Sequence, residues 1–159
     1  MIIRPGRPED AAPLTAILND VIDNTTITFT SDRKTEAMVR DDIASRGPAY
    51  QVVEIDGVAA GYASFFPFRS GPGYAWTKEH SIALGQGARG QGAGRALMTA
   101  LEEVARGEGV HSLIAGVSGE NPSGRAFHVA IGFVEVATLP EVGFKFGRWI
   151  DLVLMQKKL

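Results

Sequence analysis

Ser81-Ile82-Ala83-Leu84-Gly85-Gln86-Gly87-Ala88-Arg89-Gly90-Gln91-Gly92-Ala93-Gly94-Arg95-Ala96-Leu97 runs from an apolar, strand-like segment through a glycine-rich loop into a helical repeat. Beyond the loop, Leu97, Leu101, Val104 and Ala105 fall on one side of a helix that reaches to about Arg106, and Gly107 and Gly109 close it. The alternate glycines Gly90, Gly92 and Gly94 allow a tight turn and bring backbone N–H groups close to a ligand. The helix start adds unpaired N–H groups and the positive end of the helix dipole, so a phosphate is the natural guest. A glycine-rich turn selected only for packing is the plain alternative.

Two familiar phosphate loops do not fit. A Walker A loop needs Gly-Lys-Ser or Gly-Lys-Thr, which the chain lacks. A nicotinamide fingerprint opens an early βαβ unit and places an acid about twenty residues on; here the loop comes late and residue 114 is isoleucine. The pyrophosphate of coenzyme A is the best remaining match.

Outward from the loop, the pattern predicts a first helix over Glu9–Ile22, with Leu14, Ile17, Leu18, Val21 and Ile22 on its buried stripe. A polar connection follows over Asn24–Ser31. A second helix is expected over about Thr35–Ser45, with Met38, Val39 and Ile43 inward and Gly47-Pro48 ending it. Tyr50–Ile55 and Val58–Phe66 read as strands joined by a type I′ turn at Asp56-Gly57. Gly73–Leu84 contains the next strand. After the loop helix come a strand at Val110–Val117, a short helix at Pro122–Ile131, and antiparallel strands at Phe133–Leu139 and Trp149–Gln156. The result is one mixed α/β domain over residues 1–159 with a single βα unit at the loop, not a doubly wound dinucleotide fold.

Composition narrows the function. With no cysteine among 159 residues, disulfides, thiolate metal sites and a cysteine nucleophile are excluded. A net charge of -2 offers no basic footprint for nucleic acid. No apolar run reaches the roughly 20 residues that span a bilayer, and Met1-Ile2-Ile3-Arg4-Pro5 lacks the regions of a signal peptide. A cytoplasmic protein with neither nucleic-acid nor membrane partner is expected. No His, Asp or Glu cluster has metal-ligand spacing, so no metal is expected.

Arg89-Gly90-Gln91-Gly92-Ala93-Gly94 resembles the Arg/Gln-x-x-Gly-x-Gly/Ala signature of the GCN5-related N-acetyltransferase (GNAT) superfamily. Further blocks resemble its phosphinothricin and methionine sulfoximine acetyltransferase group: Asn24–Phe29, Phe66-Pro67-Phe68-Arg69, Gly73-Tyr74, Glu79-His80-Ser81-Ile82 and Val142–Asp151. The resemblance implies an acyl-CoA N-acyltransferase fold, with a bent mixed central sheet flanked by helices. Its central parallel strands, here about Glu79–Leu84 and Ser112–Val117, would splay to admit acetyl-CoA as cosubstrate. It also implies a homodimer and direct transfer of acetyl to a small-molecule amine bearing a carboxylate, an L-amino acid or analogue, with another small amine (polyamine, antibiotic or peptide N-terminus) or a non-catalytic acyl-CoA-binding sensor as the alternatives. Ile82, Ala83, Leu84, Arg89 to Arg95 and Asn121 would contact the coenzyme, and a backbone N–H near Leu84 would face the developing oxyanion.

The candidate chemistry rests on few side chains. Strand alternation puts Glu79, Ser81 and Ala83 on one face and His80, Ile82 and Leu84 on the other. Glu79 is either a base whose pKa partial burial raises, or a surface acid paired with Lys78; the resemblance favours the base. His128 is either a thiol-side or coenzyme contact, in a place where many relatives carry tyrosine, or a structural residue. Arg69 offers a two-pronged donor to a substrate carboxylate, or lies idle on the surface. Phe29, Phe68, Tyr74 and Trp76 either line a side-chain pocket around that substrate or belong to the core. His80 and His111 read as structural or surface residues, and Lys145 and Arg148 as carboxylate or dimer contacts. Relatives commonly carry Thr-Val-Glu for Thr77-Lys78-Glu79, an aromatic for Ala83 and serine for Gly124.

Overall fold

A computed structural model describes residues 1–159. Its strands are β1 (Ile2–Pro5), β2 (Tyr50–Ile55), β3 (Val58–Pro67), β4 (Thr77–Leu84), β5 (Ser112–Ser118), β6 (Val134–Lys145) and β7 (Arg148–Lys158). They form one sheet in the order β1-β2-β3-β4-β5-β7-β6. Every neighbouring pair is antiparallel except β4 and β5 at the centre. Helices α1 (Ala11–Asn24) and α2 (Glu36–Arg46) cover one face, while α3 (Ala93–Gly107) and α4 (Pro122–Ala130) belong to the other.

The expected helices and strands form close to their expected bounds, except that the strand expected to end at Leu139 runs on to Lys145 across two breaks in register. Pro13 sits in the first turn of α1, where a missing N–H is tolerated. Thr35 caps α2, its hydroxyl oxygen accepting from the Met38 N–H. Val39 and Ile43 are buried as the pattern predicts, but Met38 turns outward to solvent. Asp56 and Gly57 both take positive φ, and so do Phe146 and Gly147 in the turn between β6 and β7, as hairpins with the twist of their flanking strands require. Strand β1 carries no alternation by which to be seen. Arg4 holds it in place, donating to Glu54 of β2 at 2.7 Å and to the buried Asp10 at 2.8 Å.

Two apolar cores occupy the two faces. Leu97, Leu101 and Ala105 of α3 bury against Ala63, Phe65, Leu113 and Val153. On the opposite face, Leu14, Val39 and Ile43 close on Tyr50, Val52 and Tyr62. Ala83 packs with this second core whereas Ile82 and Leu84 pack with the first, as strand alternation demands.

The segment from α1 to α2 crosses the β6–β7 end of the sheet as a strap. Asn19 grips the Lys34 backbone through both halves of its amide, at 3.0 and 2.8 Å. Glu120 accepts from the Thr26 hydroxyl and pairs with Arg148. Lys145 is buried and donates to the carbonyls of Thr25 and Thr28 at 2.6 and 3.0 Å. Its ammonium is therefore spent within the chain, and neither Lys145 nor Arg148 stands free for a substrate carboxylate. Lys145→Met leaves two carbonyls without their donor, a loss of roughly 1–3 kcal/mol. Hydrogen exchange across residues 25–34 is expected to quicken about tenfold or more, while exchange in α3 stays unchanged.

Candidate functional site

Strands β4 and β5 part in the middle of the sheet. Their parallel register runs from Thr77 opposite Ser112 to His80 opposite Ala115 and stops there, although both strands continue. The Gly85 N–H is spent on the Ala60 carbonyl of β3. Alternation therefore aims the N–H groups of Leu84 and Ile82 the other way, into the gap. Such donors are suited to an oxygen that gains negative charge.

The glycine loop lies directly after this splayed end. Gly90 and Gly92 take positive φ, at 73° and 79°. None of the backbone N–H groups from Gly90 to Arg95 donates to a backbone or side-chain acceptor; the first bond of α3 runs from Ala96 to Gly92. A run of free donors at a helix start fits a pyrophosphate well. The Arg89 side chain is exposed and folds back on the Leu84 carbonyl at 3.4 Å, while the Arg95 guanidinium reaches the Ala130 carbonyl at the end of α4. A hollow of about 230 Å³ opens beside the loop, lined by Ile17, Asp20, Leu84, Gly85 and Arg89 among others. A larger one of about 390 Å³ lies between α4 and β6 and includes no residue of β4.

Glu79 occupies the other face of β4, opposite Phe66 in the register and one residue before the strands part. Its carboxylate lies over Gly116 and beside Leu152, with no hydrogen bond and no ion pair; Lys78 does not engage it. Partial burial pushes its pKa above the usual carboxylate range. That combination suits a proton acceptor.

Asn121 caps α4, accepting from the Gly124 N–H at 3.0 Å and from the Ser123 hydroxyl at 3.1 Å. A Cβ at Gly124 would meet the Asn121 amide, so a serine here would require that side chain to shift. His128 is buried rather than open to the cleft. Its Nδ1 lies 2.7 Å from the Gly124 carbonyl and its Nε2 lies 3.1 Å from Nε2 of His80. The rings of Phe127 and Phe133 stand nearly perpendicular to it. His80 is equally buried, and nothing in the local pattern of the sequence marks this contact across 48 positions.

The aromatic candidates divide. Phe68 and Tyr74 meet edge to face, with centroids 6.2 Å apart, and the Arg69 guanidinium stacks on Phe68 at 5.6 Å without any ion-pair partner. Phe29, on the strap, lies against Gly143 of β6. Trp76 does not join the others in a pocket: it is 59% exposed and turns toward Gly109, where its carbonyl accepts from the His111 N–H. No three His, Cys, Asp or Glu side chains come together to hold a metal ion, and no helix is long and apolar enough to cross a membrane.

Residues 15–133 match the model of the acetyltransferase (GNAT) family. The L-methionine sulfoximine/L-methionine sulfone acetyltransferase of Salmonella typhimurium is 36% identical over all of this chain and 95% of its own. Two solved structures superpose closely. The ribosomal-protein-alanine N-acetyltransferase of Brucella melitensis has a TM-score of 0.95 at 38% identity, covering 100% of both chains. The Salmonella typhimurium protein yncA, solved with its cofactor acetyl-CoA, has a TM-score of 0.94 at 35% identity, covering 100% of this chain and 94% of that one.

Burial pushes the His80 imidazole down to about 3, helped by the neighbouring His128, and burial also lowers His128. Both are ordinary histidines once unfolded, so below about pH 6.5 the unfolded chain binds more protons than the native one. Stability from this pair is complete above that pH and lost as pH falls. The urea midpoint is expected to decline from pH 7 to pH 5, each imidazole contributing up to about 1.4 kcal/mol per pH unit. His80→Gln is expected to remove one imidazole's share of that slope. A midpoint independent of pH in this window would contradict the assignment.

Proposed function

The chain belongs to the acetyltransferase (GNAT) family, and on that premise we propose that it moves acetyl from acetyl-CoA to the α-amino group of an L-amino acid or analogue. Phosphinothricin, methionine sulfoximine and methionine sulfone are the analogues to test first. The observation that carries this reading is Glu79, a half-buried, unpaired carboxylate one residue before the last paired position of β4.

Amine acetylation starts from an ammonium that must lose a proton before it can attack. Glu79 accepts that proton, directly or through one water. The freed amine attacks the thioester carbonyl, and the N–H of Leu84 meets the negative charge that grows on its oxygen. The carbon–sulfur bond then breaks, and one of the two protons left on the amine ends on the departing coenzyme thiolate while the amide keeps the other. The free N–H groups of Gly90 to Arg95 hold the pyrophosphate, with Asn121 beside the pantetheine arm.

Arg69 supports an amino acid as acceptor. Its guanidinium has no carboxylate partner within the chain and rests on an aromatic pair at the turn before β4. An alanine of a ribosomal protein, the acceptor in the name of the Brucella protein, carries no free carboxylate beside its amine and would leave Arg69 without use. We place the protein in the cytoplasm as a homodimer. Val134, Val136, Val142, Phe144, Phe146 and Trp149 are large apolar side chains left exposed on the edge strand β6, the turn after it and the start of β7, where a second copy would cover them.

Glu79→Gln is expected to lower kcat by about 10²–10⁴ and to abolish the acidic limb of the kcat/KM profile, with acetyl-CoA affinity unchanged. Full turnover in this variant would sink the base assignment, and its absence in the wild type with every amine would indicate a coenzyme-binding sensor. Arg69→Ala is expected to cost amino acids roughly 2–3 kcal/mol in kcat/KM, as loss of a charge-assisted pair does, while simple amines are little affected. Equal losses for polyamines and amino acids would argue against carboxylate recognition.

A further inference from the structure

The helix that carries Asn121 is tied to the parting strand by one hydrogen bond, and that bond has a direction. The Gly124 carbonyl can only accept, so His128 Nδ1 carries the hydrogen and, in a neutral ring, His128 Nε2 is a lone pair. The atom facing that lone pair at 3.1 Å is Nε2 of His80, which therefore donates. His80 Nδ1 is then left as a bare acceptor, and it is the one buried side-chain polar atom with no partner. Hydrogens thus run one way, from His80 to His128 and from His128 to Gly124.

Three features put this bond at the coenzyme groove. His80 is the last residue of β4 in register with β5. Phe127, beside His128, closes on Gly94 at the head of α3, where a Cβ would meet its ring at 3.1 Å. Gly124, the final acceptor, is also the residue whose N–H binds the Asn121 cap. One short helix therefore joins the point of parting, the start of the glycine-loop helix and the expected pantetheine contact.

We propose that His80 is a positioning residue for the coenzyme: by donating to His128 it holds α4 against the point where β4 leaves β5, and so sets the width of the groove that takes the pantetheine arm. His128 is the acceptor that anchors the helix, not the proton donor to the thiolate, because both of its nitrogens are already engaged. This deepens the acetyl-CoA reading and is independent of which amine accepts the acetyl group.

The test uses acetyl-CoA alone, so failure of the amino-acid reading leaves it intact. Calorimetry on His80→Leu is expected to show acetyl-CoA binding weakened about tenfold, the effect of one lost hydrogen bond. His80→Gln, whose Nε2 reaches about as far and still donates, is expected to stay within threefold of the wild type. A merely structural role would lower the melting temperature of both variants and leave the affinity of the folded proteins alone. Wild-type affinity in folded His80→Leu overturns the proposal, as does a Gln variant as weak as the Leu one. Should His80→Leu not fold, His80→Asn, with its donor drawn back, takes its place under the same expectation. In the wild type, ¹⁵N spectra of the imidazoles are expected to show the Nε2–H tautomer for His80 and Nδ1–H for His128. The reverse tautomers overturn the direction of the bond.

Discussion

When two parallel strands part after four paired residues, the backbone groups beyond that point lose their ladder. Buried N–H and C=O groups are costly to leave without partners, so the parting must lie where something polar is received. The structure spends the remaining edges elsewhere. β4 keeps β3 as a partner through Leu84, and β5 keeps β7 through Ser118. Only the facing edges are open, and they lead to the free N–H groups of Gly90 to Arg95. The splay and the glycine loop therefore form one continuous set of donors, with a carbonyl-sized group at one end and a pyrophosphate at the other.

The two faces of β4 at the parting differ sharply in character. Glu79 lies half-buried over Gly116, reachable and without a partner. His80, the next residue, is enclosed by His128 and Phe133. A reaction that must accept a proton on one side and exclude water on the other is served by this alternation, and a one-residue slip of register would exchange the two environments. Antiparallel pairing over Gly61–Pro67 and parallel pairing over Ser112–Ala115 both resist such a slip.

Much of this is legible in the sequence because local rules decide it. The glycine loop, the turn at Asp56-Gly57, the Thr35 end of α2 and the opposite faces of Glu79 and His80 all follow from spacing over a few residues. What escapes local reading is set by tertiary contact. Strand β1 has four residues and ends in proline, yet Arg4 binds it through two carboxylates. Lys145 looks like a surface cation in a polar hairpin and is instead buried beneath the strap, because two carbonyls from residues about 120 positions away converge on it. Trp76 resembles a pocket aromatic by its neighbours, but the chain turn before β4 carries it to the end of α3. The His80–His128 pair is the strongest such case, since neither residue has a local reason to be buried.

The neutrality of that pair also bears on Glu79. An imidazolium at His80 would place a positive charge one residue away, across a low-dielectric sheet, and would draw the Glu79 pKa down. Burial raises the carboxyl; a neighbouring cation would cancel that gain and leave a poorer base. By holding both rings below the usual histidine range, the apolar side of the sheet keeps the charge away. The proton affinity of the candidate base therefore depends on two groups that never touch a substrate.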